Sequence, residues 1–352
     1  MGLGLWGAAS VGVLTGCGLR WESDAPDLPV LPRDRHPGAD ALRGELTYIE
    51  AARLTAASAS ASTGDDAAVA AHTEQIRALR QRLADVNDLG PSEPTDPPPL
   101  PPLPTAPAAN TDLARRAAAE AEWAGLDLAA SAHLAASGAD EQDLLLISSI
   151  QVCRLALGRR FGGRWAAASP HDGFAQISAA VTGDLLAAAR RCAYVLDVCA
   201  ARAPAALETT ATGSRDTAHR LLIDLDAAAA AQAGQNEQTE PNEQTAEAEG
   251  RVGGATPPPP LGYPLDAAAL STPAGVSALA ARALADLSDA LVAAMPGEWK
   301  HAAETADAAP ADESAPTPES ARPVVALRRR AAECEQWHSA WSSGVRSLPG
   351  LR

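Results

Sequence analysis

The chain has 352 residues, enough for two modest domains, and carries 44 acidic against 28 basic side chains for a net charge of −16. That balance argues against a nucleic-acid partner, which needs clustered basic side chains. It would also be repelled by anionic lipid, so membrane association has to come from something other than charge. Aromatic residues make up only 3%, alanine dominates, and Lys300 is the sole lysine beside many arginines; this bias fits a GC-rich genome, hence a high-GC Gram-positive bacterium.

Leu3 to Val13 is an uncharged run of apolar and small residues followed by Leu14-Thr15-Gly16-Cys17. The run is too short to span a bilayer, where about 20 residues are needed, but it suits the h-region of a secretory signal with small residues at the cut site. Cysteine directly after Leu-Thr-Gly resembles the lipobox of bacterial lipoproteins, in which the thiol is diacylated and the chain is cut before it. Glycines at 2, 4, 7, 12 and 16 disfavour the competing reading, a packed first helix. No Lys or Arg precedes the apolar run; a translation start further upstream would supply one. Gly2-Leu-Gly4-Leu-Trp-Gly7 fits the dinucleotide fingerprint, but no strand precedes it and no βαβ pattern follows. The expectation is a signal peptide over 1–16, a diacylglyceryl anchor on Cys17 and placement on the extracytoplasmic face, with more than one acyl chain for stable anchoring.

Residues 17–38 carry Pro26, Pro29, Pro32 and Pro37 without helical period, an extended tether. A helical region is expected over 39–169. Leu42, Leu46, Ile49 and Ala56 mark one stripe; Val69, Thr73, Ile76, Leu79, Leu83 and Val86 mark a clearer one that ends at Gly90-Pro91. More than half of the residues from Pro91 to Pro107 are proline, so 91–110 is a stiff polyproline loop rather than helix or sheet. A third helix follows from about Thr111, with Leu113, Ala117, Ala121, Ala124, Leu128 and Ala132 on one face. Asp140 caps a fourth, Leu144 to Leu157, apolar nearly all round and therefore central. Gly158 to Asp172 is the break between halves.

A four-helix unit is expected over 170–352. Ile177, Val181, Leu185, Ala188, Cys192, Val195 and Cys199 form the first seam. Ala206 to Gln232 continues as helix after Pro204, interrupted by Gly213. Residues 234–260 are low complexity, with Asn-Glu-Gln-Thr at 236 repeated at 242, and 304–320 are acidic and Pro/Ala-rich; both are expected to be disordered insertions. Thr272-Pro273 pairs a cap with a first-turn proline and opens a helix whose seam is Val276, Ala280, Ala283, Leu287, Ala290 and Ala294. The last helix follows Pro323 with Val324, Leu327, Ala331, Cys334, His338, Trp341 and Val345. The fold class is all-α: helical hairpins, then an antiparallel four-helix bundle with Pro/Ala/Glu-rich insertions.

With Cys17 acylated, Cys153, Cys192, Cys199 and Cys334 remain, an even number suited to an oxidising compartment. Zinc-type spacing is missing. On one helix Cys192 and Cys199 would be separated by roughly 10 Å of rise, too far for a mutual disulfide. Any bridge goes to Cys153 or Cys334, with the pairing open; buried thiols acting as small hydrophobes fit as well.

Gly18-Leu-Arg-Trp-Glu with the proline tether behind Cys17, Tyr263-Pro264-Leu265 before an Ala/Leu helix, and a Trp-bearing last helix closing on Leu348-Pro349-Gly350-Leu351 together resemble the exported actinobacterial lipoproteins that end in a ferritin-like domain of unknown function. The resemblance covers about Phe174 to Leu351 and implies a ferritin-like bundle. The family tends to carry an acidic residue and a histidine in the first bundle helix, where this chain has Arg190-Arg191. A ferritin-like di-iron site takes a Glu from each of two helices and Glu-x-x-His from the other two. Glu335-x-x-His338 and Asp216-x-x-His219 are the candidate ligands; Glu298-x-x-His301 falls after Pro296-Gly297, at a helix end or in a loop. The seams of the first and third bundle helices carry no carboxylate, so no metal is expected. Of other chemistry there is no G-x-S-x-G elbow, phosphate loop or H-E-x-x-H, and Asp172 beside His171 has no nucleophile at a meaningful spacing.

The sequence therefore predicts a membrane-anchored lipoprotein with a non-catalytic bundle, binding or structural in the envelope, whose protein partner is open. The alternatives are an iron-binding or iron-oxidising metalloprotein using Asp216, His219, Glu335 and His338, or a carrier of a small apolar ligand between Ala-lined helices.

Overall fold

The computed structural model describes residues 36–63, 66–86, 115, 118, 119, 122, 139–162, 173–238, 262–307, 322–342 and 344–351. Seven α-helices occur among them: α1 Ala39–Thr63, α2 Ala67–Asp85, α3 Glu141–Arg160, α4 Ala179–Ala200, α5 Glu208–Gln238, α6 Pro273–Asp307 and α7 Arg322–Ser342. Short 3₁₀ turns at Phe174–Gln176, Ala205–Leu207 and Ala269–Ser271 join them, and no strand occurs among the described residues. The fold is all-α. Cys17, the tether up to Arg35 and the proline loop lie outside the described residues, as does most of the expected third helix, of which Arg115, Ala118, Ala119 and Glu122 are helical.

Helix α3 is the centre. Asp140 is its N-cap, its Oδ1 accepting the Asp143 N–H at 2.9 Å. Glu141 and Asp143 in the first turn and Arg159 and Arg160 in the last complement the helix dipole. From Leu144 to Gly158 every side chain except that of Leu145 is buried. α3 packs on α6 and α7 on one side and on α1 and α2 on the other, which leaves it no solvent face.

Helices α4 to α7 pack in a ring, each against two others: α4 on α5, α5 on α7, α7 on α6 and α6 on α4. One apolar cluster runs from Leu42, Ile49 and Leu79 through α3 into all four. The core is thus continuous across the break expected at 169/170, and His36–Arg352 is one unit. A smaller cluster of alanines from α1 and α2 with Cys153, Leu157 and Phe161 lies beside it.

Several expectations are corrected. Gly213 does not interrupt α5; the helix is continuous, and the missing side chain makes room for the Trp337 indole, which would lie 2.3 Å from a Cβ there. Trp337 Nε1 donates to Thr217 Oγ1 at 3.0 Å and Trp341 Nε1 to Ser214 Oγ at 3.2 Å, tying α7 to α5. Pro296 lies inside α6, because the buried stripe continues past it through Met295, Trp299 and Ala302. Glu298 is accordingly neither at a helix end nor in a loop: it is buried and accepts the Ser178 N–H (3.1 Å) and Oγ–H (2.6 Å) at the start of α4. α5 and α6 run on to Gln238 and Asp307, into the stretches assigned to the insertions. On α2, Thr73 is exposed while His72 and Gln75 are buried, and Val345 lies beyond the end of α7. On α4, Val181 and Ala188 are half-buried, and Leu186, Ala189, Ala193 and Leu196 widen the core face because α4 meets both α5 and α6.

The tail 344–351 docks back on α6. Gly350 has φ +83°, and its N–H donates to Asp289 Oδ1 at 2.6 Å; a Cβ would lie 2.6 Å from Val292 Cγ1. Gly350→Ala therefore combines left-handed backbone strain with overlap, and about 2 kcal/mol or more of stability should be lost. Urea unfolding measures it; an unchanged midpoint would mean the tail is not docked this way.

Candidate functional site

The four candidate metal ligands do not converge. Asp216 is exposed beside the Arg215 guanidinium at 3.2 Å, and His219 is exposed with Nε2 3.0 Å from Asp197 Oδ1. Glu335 is buried, but its carboxylate is gripped by Arg346 through Nε and Nη2. The same guanidinium donates from Nη1 to Asp289 Oδ1 at 2.7 Å and from Nη2 to the Ala285 carbonyl at 3.2 Å. His338 is half-buried near Ser342, and burial pushes its imidazole below the ordinary value. The donor set does not fit the di-iron site implied by the resemblance: one pair is spread on a solvent face, and the carboxylate of the other is neutralised by an arginine.

The four cysteines of the described residues are free, buried thiols. Burial pushes Cys199 up to about 11 and pushes the Cys153, Cys192 and Cys334 thiols up as well. Their thiolates are suppressed, which makes them poor nucleophiles and poor ligands.

Among the described residues, one His/Asp set brings donor atoms within 4.8 Å of one another: His36, Asp140 and Asp143. Arg82 already occupies it. Its Nε donates to Asp143 Oδ1 at 2.8 Å, Nη2 pairs with Asp140, and Nη1 donates to Gln142 Oε1 at 2.8 Å. His36 Nε2 holds the other Asp143 oxygen at 2.5 Å. Burial raises the Asp140 carboxyl, but the Asp143 N–H and the arginine outweigh it and hold it below its usual range. The cluster fastens residue 36 and α2 to the start of α3; a cation would have to displace a guanidinium that is already well matched.

The second polar cluster is buried. His72 is fully enclosed, with Nδ1 2.9 Å from Gln75 Oε1 and Nε2 2.7 Å from Glu122 Oε1. Gln75 Nε2 donates to the Ser347 carbonyl at 2.9 Å. Arg154, also fully enclosed, donates from Nη1 to Glu45 Oε1 at 3.0 Å, lies 4.0 Å from Glu122 Oε2 and stacks 4.1 Å from the Tyr48 ring centroid. Sequence reading missed His72 and Glu122, which no periodicity singles out. It could have asked for a partner to Arg154, a lone charge inside the apolar run of α3.

The third feature is a cavity of about 730 Å³ between α4 and α6, edged by the strap 262–266. Ala188, Cys192, Ala283 and Leu287 form its apolar wall, with Arg191 and Arg282 among the polar lining. Tyr263 of the strap tilts against Tyr194 at 5.6 Å, with the Arg191 guanidinium 5.7 Å from its ring. That volume and lining suit a small-molecule pocket.

The chain matches no protein-family model, and no curated protein and no solved structure shows significant similarity to it. No helix of the described residues is long and apolar enough to cross a membrane.

Removing Arg346 would leave Glu335 buried without a counter-charge. Arg346→Met should destabilise the fold by about 3–5 kcal/mol, and adding Glu335→Met should recover most of the loss. Denaturant unfolding of the two variants checks this; equal losses in the single and the double would remove the pairing argument.

Proposed function

We propose that this protein is a lipoprotein anchored through a diacylated Cys17 on the extracytoplasmic face, and that its α4–α7 ring is a ferritin-like antiparallel bundle with a non-catalytic, binding or structural role in the envelope. The anchor rests on Leu14-Thr15-Gly16-Cys17 behind an apolar run of signal length. The observation that carries the non-catalytic reading is the grip of Arg346 on Glu335. A guanidinium supplies there the positive charge that a metal ion supplies in a ferritin-like site, and it joins α7 to Asp289 of α6 instead of leaving an open coordination position.

Two measurements test the proposal. Wild-type protein should sediment with membranes and incorporate labelled palmitate, and Cys17→Ala should be unlabelled and soluble; an unlabelled, soluble wild type removes the anchor. The chain from Gly18 onward, purified without chelator and offered ferrous iron, should retain none above background. About two equivalents of iron, lost on His338→Ala, would make the protein an iron-handling one instead.

The α4/α6 cavity favours a second reading, carriage of a small apolar molecule. Titration with a fluorescent fatty acid should then give saturable binding that Ala283→Leu, which fills the wall, weakens. Failure to saturate, or equal binding by the variant, leaves the cavity without this role.

A further inference from the structure

We infer that the buried His72–Glu122 pair is a proton-operated latch: the doubly protonated imidazole clamps α2, the Glu122 helix and the C-terminal tail together, and loss of one proton loosens them. The inference is independent of the anchor and of any metal.

The ring has two nitrogens and both face acceptors. Gln75 spends its amide N–H on the Ser347 carbonyl, so its oxygen is the atom turned to His72 Nδ1, and Nδ1 must carry a proton. Glu122 Oε1 stands 2.7 Å from Nε2, and the Arg154 guanidinium lies 4.0 Å from Oε2. A carboxylate can only accept, so Nε2 carries a proton as well. The residue is an imidazolium sealed from water.

Charged and polar groups from several elements surround it. Towards the ring or its partners lie Gln75 from α2, Arg154 and Cys153 from α3, Glu45 and Tyr48 from α1, Glu122 from its own helix, Ser347 from the tail, and from α7 Glu335, itself held by Arg346. Burial raises both the Cys153 thiol and the Tyr48 phenol, so both stay neutral. The cations His72 and Arg154, with the buried Arg328 of α7 close enough to feel Arg154 and Glu45, thus meet the anions Glu122 and Glu45. Removing the His72 proton turns a lone pair towards Glu122 Oε1, while Oε2 has no hydrogen-bond partner among the described residues. A buried carboxylate left in that state strongly destabilises the elements that bury it.

The direction of the pH effect follows. Burial pushes His72 down, but the Glu122 charge and the bonds to Glu122 and Gln75 push it up further, and the folded value lies above the ordinary 6.5. A raised histidine contributes stability that is fully present below its unfolded value and is lost as pH rises through the folded one. The latch is closed in mild acid and opens on the alkaline side.

The test uses the full-length chain carrying Cys17→Ala, with ¹⁵N-labelled histidine. Near pH 6 (about the unperturbed histidine range) both His72 nitrogens should show protonated shifts, assigned by their loss in His72→Gln. Deprotonation should come above the ordinary histidine range, and hydrogen-exchange protection of α2 and of residues 344–351 should be lost over the same interval. Glu122→Gln should move both events to lower pH together, because burial then acts on His72 without a counter-charge. A pyridine-type nitrogen on wild-type His72 near pH 6, or tail protection that stays flat through the titration, would overturn the latch. An unshifted midpoint in Glu122→Gln would overturn it equally.

Discussion

Arg154 sets the terms for the first half of this structure. A guanidinium in the middle of a helix that is buried on every side costs several kcal/mol in lost hydration unless other groups replace the water. Glu45 and the Tyr48 ring from α1 and Glu122 from its helix supply the replacements. Leu42 and Ile49 of α1 join the main core, but the cluster beside Arg154 is mostly alanine, which buries little area per residue. The hairpin is therefore held on α3 by a handful of directional polar contacts as much as by burial. His72 and Gln75 extend the same network to the tail through Ser347.

The second half solves a similar problem with other arginines. Arg330 pairs with Asp224 at 2.7 Å to join α7 to α5, and Arg346 joins the tail to Glu335 of α7 and Asp289 of α6. In a chain whose net charge is −16, buried carboxylates would be a liability without such partners, since each would add to an already negative field. The short tail thus has a large effect for its length. Arg346 neutralises two acids, the Gly350 N–H satisfies Asp289, and the Ser347 carbonyl fixes Gln75 and, through it, the protonation of His72.

Those arginines also bear on function. A ferritin-like bundle handles iron by pointing carboxylates and histidines inward at an open space. Here the interior carboxylate of α7 is occupied, and the Asp216/His219 pair faces solvent with Asp197. An open space lies between α4 and α6 beside the 262–266 strap, walled by Ala188, Cys192, Ala283 and Leu287 together with Arg191, Arg282 and Asp286.

Much of the fold was legible from the chain alone. The Asp140 cap, the Thr272-Pro273 start and the three/four spacing of apolar residues along α6 and α7 are local signals, and local hydrogen bonding and side-chain periodicity fix helices wherever they occur. Periodicity found Leu185, Cys192, Val195 and Cys199 of α4 and Ile76, Leu79 and Leu83 of α2, but missed the wider face that α4 presents to two neighbours and the inward His72 and Gln75 of α2. It also put a stop at Gly213 and at Pro296, where Trp337 and the buried stripe through Trp299 make continuation favourable. What only the tertiary structure decided is the pairing of polar groups across long separations: Glu45 with Arg154, 109 residues apart, and Gln75 with the Ser347 carbonyl, 272 apart. No spacing rule reaches that far, because a salt bridge or a histidine's proton depends on which side chains share a buried volume, and only the packing of whole helices determines that.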